Sequence, residues 1–306
     1  MKLRIATRRS ALALWQAEHV KGLLERTHAD LVVELLPVVT EGDRIQDRPL
    51  SEVGGKGLFI KELEVAMNEG RADLAVHSMK DVPWDMPPGF ALAAVLPRAD
   101  PRDAFLSTRH PSLAALPQGA RVGTSSQRRQ CLLRATRPDL DIISLRGNVD
   151  TRLRKLDSGD YDAIVLAAAG LTRLGLAARI TEYLDPLVCV PAVGQGAIGI
   201  ECRDDAALKR WFEPLDHAGT HTCLLAERGY AAALHASCTS PIAAHAVLHG
   251  AALSMSAMIG TPDGKQMIRG TRTGSADSAA ALGAALAADL LDRGGRELLA
   301  ALSATH

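Results

Sequence analysis

Three short apolar runs between residues 120 and 167 alternate with two stretches of helical periodicity, and this alternation restricts the fold more than any other feature of the chain. Ala120–Gly123, Asp141–Ser144 and Ala163–Ala167 read as strands. Ser126–Ala135 and Val149–Leu156 read as helices, and a further helix follows the last strand. Strands that alternate with helices build parallel sheets with right-handed crossovers, because each helix returns the chain to the same sheet edge. The amino-terminal part has the same grammar. Lys2–Thr7 alternates as a strand, Ser10 can cap a helix running to about Arg26, and Leu31–Val38 is a second strand. Leu58–Asn68 is a helix with Gly70 near its end, and the run Leu74–Val76 is a third strand.

After Pro87-Pro88 the pattern restarts. Phe90–Leu96 and Ala104–Ser107 read as strands, and Pro97 and Pro101 between them mark a hinge. A second crossing falls near Pro191–Gly199, leading into the strand Ile198–Cys202. A chain that leaves one lobe and returns to it describes a bilobal clamshell. From about His217 the pattern changes. Thr222–His235 is a helix, while Ile242–His249, Leu253–Ile259 and Gln266–Thr273 alternate as strands, with Pro262-Asp263-Gly264 as a tight turn. Ser275–Arg293 reads as one final amphipathic helix. The expected fold is therefore α/β, with two lobes of mainly parallel sheet plus helices. To these is added a C-terminal α+β domain with a three-stranded antiparallel sheet. Its expected domains are 1–96 with 197–215, then 100–190, then 217–306, and 306 residues suffice for three cores.

Composition narrows the function classes. Thirty-five basic residues balance 35 acidic ones, so bulk charge points to no polyanion and no membrane surface. Aromatic residues make up 3% of the chain, too few for a base-stacking nucleic-acid surface. No apolar run approaches the ~20 residues of a membrane span. The first residues have too short an apolar core for a secretory signal, and Arg8 and Arg9 interrupt it. The five cysteines are scattered, without CxxC or Cys/His ligand spacing, so neither a disulfide framework nor a metal site is expected. A cytoplasmic location fits, with any special cysteine acting as a free thiol.

Chemistry concentrates where strands end. In Leu74–Pro83, the strand residues are followed by His77, Ser78, Lys80 and Asp81, and Pro83 closes the segment. A proline there pushes its predecessor out of helical geometry, so Lys80 and Asp81 fall on a loop at the carboxyl end of a strand. In open α/β sheets that edge faces the ligand crevice. An exposed ion pair on a turn is the plainer reading of the Lys80-Asp81 dipeptide taken alone. Arginines gather at three more such junctions. These are Arg8-Arg9, then Arg128-Arg129 after Thr124-Ser125-Ser126, then Arg146 with Arg152 one turn on. Helix amino termini attract anions and repel cations, so repeated arginines there suggest bound anionic groups. Arginine meets carboxylates bidentately, at about 1.5–3 kcal/mol per charge-assisted bond. Thr40–Lys56 is long, polar and glycine-bearing, which suits a lid or binding loop. Gly54-Gly55-Lys56-Gly57 lacks phosphate-loop spacing and reads as the foot of that lid. Gly194-Gln195-Gly196 reads as a hinge or a close backbone approach to ligand. Cys238, between a helix end and Pro241, lies on an accessible loop and is either inert or a nucleophile of lowered pKa. Cys131, Cys189 and Cys202 read as core, and His77 as a satisfied structural histidine.

Taken together, ATRRSALALWQA, GGKGLFIKELE, AVHSMKDVP, VGTSSQRRQC, LRGNVDTRL, LAAAGLTRLGL, VPAVGQGAIGIECR and the Cys238 loop, in this order, closely resemble the porphobilinogen deaminase (hydroxymethylbilane synthase) family. The resemblance runs nearly end to end. It implies the type-II periplasmic-binding-protein-like architecture for the two lobes. It also implies a transferase of haem and tetrapyrrole biosynthesis. Such an enzyme joins four porphobilinogens head to tail, releases ammonia at each step, and hydrolyses off hydroxymethylbilane. It implies a dipyrromethane cofactor held by a thioether to Cys238. Asp81 would be the catalytic carboxylate, assisting loss of ammonia and facing the azafulvenium cation. Lys80, Thr124, Ser126, Arg128, Arg129 and Arg152 would hold cofactor carboxylates. Arg8, Ser10, Arg146, Arg173 and Gln195 would serve substrate and the growing chain, and Lys56 would belong to the lid. Each pyrrole carries an acetate and a propionate, the anions the arginine junctions call for. The implied partners are porphobilinogen and its linear oligomers, with the enzyme a monomer. The cysteine loop departs from the family pattern. Ala236-Ser237 stand where glycines usually precede the cysteine, and Thr239-Ser240 where Gln-Val often follows, which narrows the loop's backbone choices. Fold does not dictate function, so a solute-binding module of this architecture and a sensor of small carboxylates are the competing readings.

Overall fold

The computed structural model describes residues 1–44, 57, 59–236 and 240–304. Its strands are β1 (Lys2–Arg8), β2 (Val32–Val38), β3 (Leu74–Ser78), β4 (Phe90–Val95), β5 (Asp103–Leu106), β6 (Arg121–Gly123), β7 (Asp141–Ile143), β8 (Ala163–Ala167), β9 (Glu182–Tyr183), β10 (Ile198–Arg203), β11 (Ile242–His249), β12 (Ala252–Gly260) and β13 (Met267–Ser275). The chain forms two compact units. The first is Met1–Ala99 with Gly196–His221, and the second is Asp100–Gln195 with Thr222–His306.

The first unit holds a five-stranded sheet in the order β2-β1-β3-β10-β4. Strand β1 runs parallel to both β2 and β3, while β10 runs antiparallel to β3 and β4. Residues on both faces of β1 and β3 are buried, which is why these strands read as apolar runs rather than clean alternations. Leu3, Ile5, Val20, Leu24, Val76 and Ile200 pack on one face, and Ala6, Leu63, Met67 and Ala75 on the other. The helix Ala11–Thr27 begins at Ser10, whose hydroxyl accepts a hydrogen bond from the Ala13 N–H, so the cap read from sequence is the cap used.

The second unit holds a five-stranded sheet in the order β7-β6-β8-β5-β9 and a three-stranded sheet in the order β11-β12-β13. Strand β6 is parallel to β7 and β8, β5 is antiparallel to β8 and β9, and the three-stranded sheet is antiparallel throughout. One apolar cluster joins Phe105, Val122, Leu132, Ile142 and Val165 to Ala243 and Met258 of the smaller sheet. Glu227, fully buried, accepts hydrogen bonds from the N–H groups of Gly194 (2.7 Å) and Ala246 (2.9 Å), tying two distant segments to one carboxylate. The fold class is the one the sequence indicated: two mixed α/β sheets with helices, and a three-stranded antiparallel sheet covered by helices.

The expected helix Ser275–Arg293 is not the last, and β9 is not among the expected strands. The helix runs over Ala279–Leu290, breaks where Gly294 takes φ 104°, and a further helix follows over Arg296–Ala304. The Gly294 conformation is one that non-glycine residues avoid, so the break lies in the sequence even though the apolar pattern runs up to it. Strand β9 has only two residues, too few for any periodicity to reveal. The expected Leu58–Asn68 helix begins only at Lys61, because Phe59 and Ile60 form the turn that leads into it, and Leu58 lies outside the described residues. Of the expected lid, Glu41–Arg44 forms a short helix, and residues 45–56 lie outside the described residues.

Glycine is mandatory at one helix crossing. A Cβ on Gly283 would fall 1.9 Å from the carbonyl oxygen of Ala226 in the neighbouring helix Ala218–Ala233. Gly283→Ala is expected to lower stability by about 1–3 kcal/mol through overpacking, read as a lower midpoint in urea unfolding. An unchanged midpoint would show that the two helices can separate freely.

Candidate active site

Both five-stranded sheets gather their polar residues at one edge. In the first unit the parallel strands β1, β2 and β3 end on a common side, and Arg8 is the last residue of β1. Strand β3 ends at Ser78 and passes into a single tight turn, Met79–Asp81. Met79 is buried and its N–H donates to the Ala197 carbonyl at 3.0 Å, so the turn is pinned to the sheet while Lys80 and Asp81 stay half-exposed. Arg8, Ser10, Gln16, Phe59, His77 and Asp81 line one open recess. The guanidinium of Arg8 lies 4.0 Å over the Phe59 ring, a cation–π contact that fixes its direction. Gln16 donates from Nε2 to the Ser78 hydroxyl at 2.8 Å. His77, 6% exposed, has its Nε2 2.7 Å from Oε2 of Glu201 on β10.

In the second unit β6, β7 and β8 are parallel, so the segments after Gly123, Ile143 and Ala167 share one edge. Ser126 caps the helix Gln127–Thr136 by accepting from the Arg129 N–H, and Thr124 accepts from the Ser126 N–H at 3.3 Å. Asn148 caps the helix Val149–Asp157, and Arg152 on that helix donates from Nε to the Gly147 carbonyl at 2.8 Å. Arg173 ends the helix Ala168–Arg173 after β8, where burial pushes its guanidinium down to about 10.

Asp103, the first residue of antiparallel β5, opposes Ala167 and so begins at this same edge. Arg128 binds it through Nη1 (2.7 Å to Oδ2) and Nη2 (3.1 Å to Oδ1). Arg129 donates to Oδ1 from Nε at 2.9 Å and from Nη2 at 2.7 Å. Gln195 Nε2 (3.0 Å) and the Cys189 thiol (3.0 Å) complete the set. The carboxylate is fully buried, and both arginines are within a few per cent of full burial. Burial pushes the Asp103 carboxyl up, but the two guanidiniums outweigh it and hold the group far below the usual carboxylate range. Burial and the same carboxylate push the Cys189 thiol up, so Cys189 remains a neutral donor. Arg128 and Arg129 together carry one positive charge more than Asp103 removes.

The residues expected from sequence are thus brought together in two sets. Arg8, Ser10 and Asp81 share the recess of the first unit. Arg128, Arg129 and Gln195 share Asp103 in the second, with Thr124, Ser126, Arg146, Arg152 and Arg173 along the same sheet edge. Cys238 and Lys56 lie outside the described residues. Gln16, Phe59, Asp103 and Glu201 escaped sequence reasoning. Gln16, Phe59 and Glu201 sit inside apolar or helical runs and Asp103 in a short polar link, where nothing in the local pattern separates a partner of the site from an ordinary structural residue.

The second edge suits an acidic ligand. Nε of Arg128 and Nη1 of Arg146 are buried N–H donors with no hydrogen-bond partner among the described residues. Such donors are costly unless something accepts from them. With a desolvated Arg173 beside two capped helix amino termini, this donor set matches a group bearing several carboxylates. No group of three or more His, Cys, Asp or Glu that could hold a metal occurs among the described residues. Among them, too, no helix is long and apolar enough to cross a membrane.

Fold and site together define a two-unit α/β protein that presents the Asp81 carboxylate on a sheet edge of one unit and an arginine cluster on a sheet edge of the other. Residues 3–210 match the family described as porphobilinogen deaminase, dipyromethane cofactor binding domain, and residues 221–292 match porphobilinogen deaminase, C-terminal domain. The chain belongs to the porphobilinogen deaminase family and is a hydroxymethylbilane synthase, a transferase of tetrapyrrole biosynthesis with a dipyrromethane cofactor. Among solved structures, the chain is similar to the methionine-binding protein MetQ, at 15% identity and TM-score 0.46, covering 70% of this chain and 89% of that one. The VFT2 domain of Bordetella pertussis BvgS is similar at 16% identity and TM-score 0.42, covering 70% and 85%. A periplasmic substrate-binding protein of an ABC transporter from Coxiella burnetii is similar at 14% and 0.44, covering 70% and 91%.

Arg128→Ala leaves Asp103 buried with one guanidinium instead of two. It is expected to cost about 3–5 kcal/mol of folding stability, measured by denaturant unfolding. A loss below about 1 kcal/mol would show that Arg129 alone satisfies the carboxylate. Because the folded pKa of Asp103 is depressed, its contribution is complete above the unfolded value near 4. That contribution should fade as pH falls below about 4, which an acid titration of the unfolding midpoint checks.

Proposed function

We propose that Asp81 assists departure of the aminomethyl nitrogen from each incoming porphobilinogen and then faces the cation left on that pyrrole. The observation that carries this reading is the shared recess, where Asp81 stands with the Arg8 guanidinium and the helix cap Ser10. Arg8 draws in the acidic side chains of the pyrrole, and Asp81 is the carboxylate beside it. The pinned turn supports the same role. A carboxylate that need not reorganise when positive charge develops stabilises it best.

Arg8, Ser10, Arg146, Arg173 and Gln195 are assigned to substrate and growing chain. Lys80, Thr124, Ser126, Arg128, Arg129 and Arg152 are assigned to the cofactor carboxylates. When bound, the dipyrromethane group supplies the nucleophilic pyrrole carbon to which the first unit is joined. Arg128 can still give its Nε N–H, whereas Arg129 already uses Nε, Nη1 and Nη2 within the protein. Arg129 therefore acts through its charge and by holding Asp103, and Arg128 through contact. Cys238 is assigned as the attachment point and Lys56 to the lid. The enzyme is proposed to work as a cytoplasmic monomer, with domains 1–96 plus 197–215, 100–190 and 217–306, and without nucleic-acid or membrane partners.

Intact-protein mass under denaturing, reducing conditions should show a covalent increment on Cys238, since a thioether survives both. An unmodified mass in protein from a porphobilinogen-sufficient host would remove Cys238 from the assignment. Asp81→Asn should keep that increment and the fold yet lose turnover by about 10²–10⁴-fold. Bilane formation at near-normal rate would end the proposed role of Asp81.

A further inference from the structure

His77 lines the same recess as Asp81 but belongs to a second, buried set of groups. Its Nε2 is 2.7 Å from Glu201 Oε2, with the two side chains 5% and 1% exposed. The other oxygen, Glu201 Oε1, is buried and receives no hydrogen bond from an ordinary donor among the described residues. The carboxyl of Glu64, on the helix Lys61–Asn68, lies against the Glu201 side chain. Two carboxyl groups bond to each other only when one of them holds a proton. Glu64 is half-buried, so one end of the set is closed off beside the recess and the other reaches solvent.

His77 on β3 and Glu201 on β10 are the charged groups that act on Glu64. Arg203 on β10 donates to the carbonyls of Met67 and Ala72 and lies 3.9 Å from Asp73. Arg4 on β1 donates to the Gly70 carbonyl and lies 3.4 Å from Asp73. Facing His77 from the recess are Arg8 and Asp81.

We propose that His77, Glu201 and Glu64 form a proton sink behind the recess, taking up the proton released in each coupling and passing it to solvent through Glu64. The inference rests on the assignment of that recess to the reaction. In the coupling, a carbon–carbon bond forms to the cation that departing ammonia has left. The carbon–hydrogen bond at the pyrrole position attacked then breaks. Its electron pair returns to the ring and a proton must leave. The released proton enters at His77 and moves across Glu201. Glu64, ionised before the step, takes the proton up as its carboxylic acid and then gives it to water, which leaves it charged again, and the departed ammonia ends as ammonium with an equal uptake of one proton. No oxidant or reductant is required.

Burial, with the Glu201 charge added, pushes the Glu64 carboxyl up to about 7, against the weaker opposing pull of His77. Below that pH the set is full and cannot accept a proton; above it there is a vacancy. Turnover limited by this uptake should therefore rise with pH through about 7. Glu64→Gln keeps a hydrogen-bond donor for Glu201 but cannot ionise. Its acid limb is expected to move by at least half a pH unit, with kcat at pH 7.5 reduced about three- to tenfold, KM little changed and the cofactor mass retained. Glu64→Asp should restore a titrating limb. A purely structural role would scale the whole profile evenly, so superimposable normalised profiles for wild type and Glu64→Gln would overturn the proposal. Carboxyl carbon NMR of Glu64 in the holoenzyme gives a readout independent of turnover. Titration near 7 supports the sink, and titration in the ordinary glutamate range overturns it. Loss of turnover in Asp81→Asn alongside unaltered Glu64→Gln profiles would reject the sink while leaving the Asp81 assignment standing.

Discussion

One buried carboxylate organises the arginine-bearing half of this enzyme. Asp103 takes hydrogen bonds from Arg128, Arg129, Gln195 and Cys189, residues drawn from a helix start, an inter-strand segment and a turn. A guanidinium in a protein interior needs a counter-charge and a full set of acceptors, or its desolvation outweighs what packing returns. Asp103 supplies both for two adjacent arginines at once. It cancels one of two positive charges and holds the planes of both guanidiniums, so the remaining charge is directed rather than diffuse. Removing either sign would leave the other stranded.

This arrangement changes how arginines at helix amino termini should be understood. From sequence, cations at three such poles imply external anions. At the junction after β6 the protein itself supplies most of the answer, because Arg128 and Arg129 turn toward Asp103. Among the described residues, Arg128 Nε and Arg146 Nη1 are buried N–H donors that still await an acceptor. A sparse, pre-oriented donor set of this kind discriminates better than a loose patch of exposed arginines, since each acceptor must arrive at a stated place.

The first unit solves a different problem. In the proposed reaction positive charge appears and disappears on a pyrrole, and the role proposed for Asp81 needs a carboxylate that holds its position. A turn pinned through buried Met79 gives Asp81 that fixity. His77 beside it looks inward to Glu201. The same short segment therefore sets one acidic group at the recess and one histidine against a buried carboxylate, and the two proposed roles, toward the cation and toward the proton, fall on different side chains.

Much of this was legible from the amino-acid order. The βαβ alternation, the cap Ser10, the three-stranded antiparallel sheet and the turn carrying Lys80 and Asp81 all follow from local periodicity and backbone stereochemistry, which short segments express on their own. The family blocks were equally local, and they led to the chemistry. The helix Arg296–Ala304 escaped because the helical reading ends at Arg293, just before the left-handed Gly294. The partners of the site escaped for a stronger reason. Asp103 meets Arg128 across 25 residues and Glu201 meets His77 across 124. No periodicity carries information over such separations. Sequence by itself determined which strands, caps and charged junctions exist, because these are settled within a few residues of chain. Only the tertiary structure decided which carboxylate answers which cation, because that depends on burial and on sheet register.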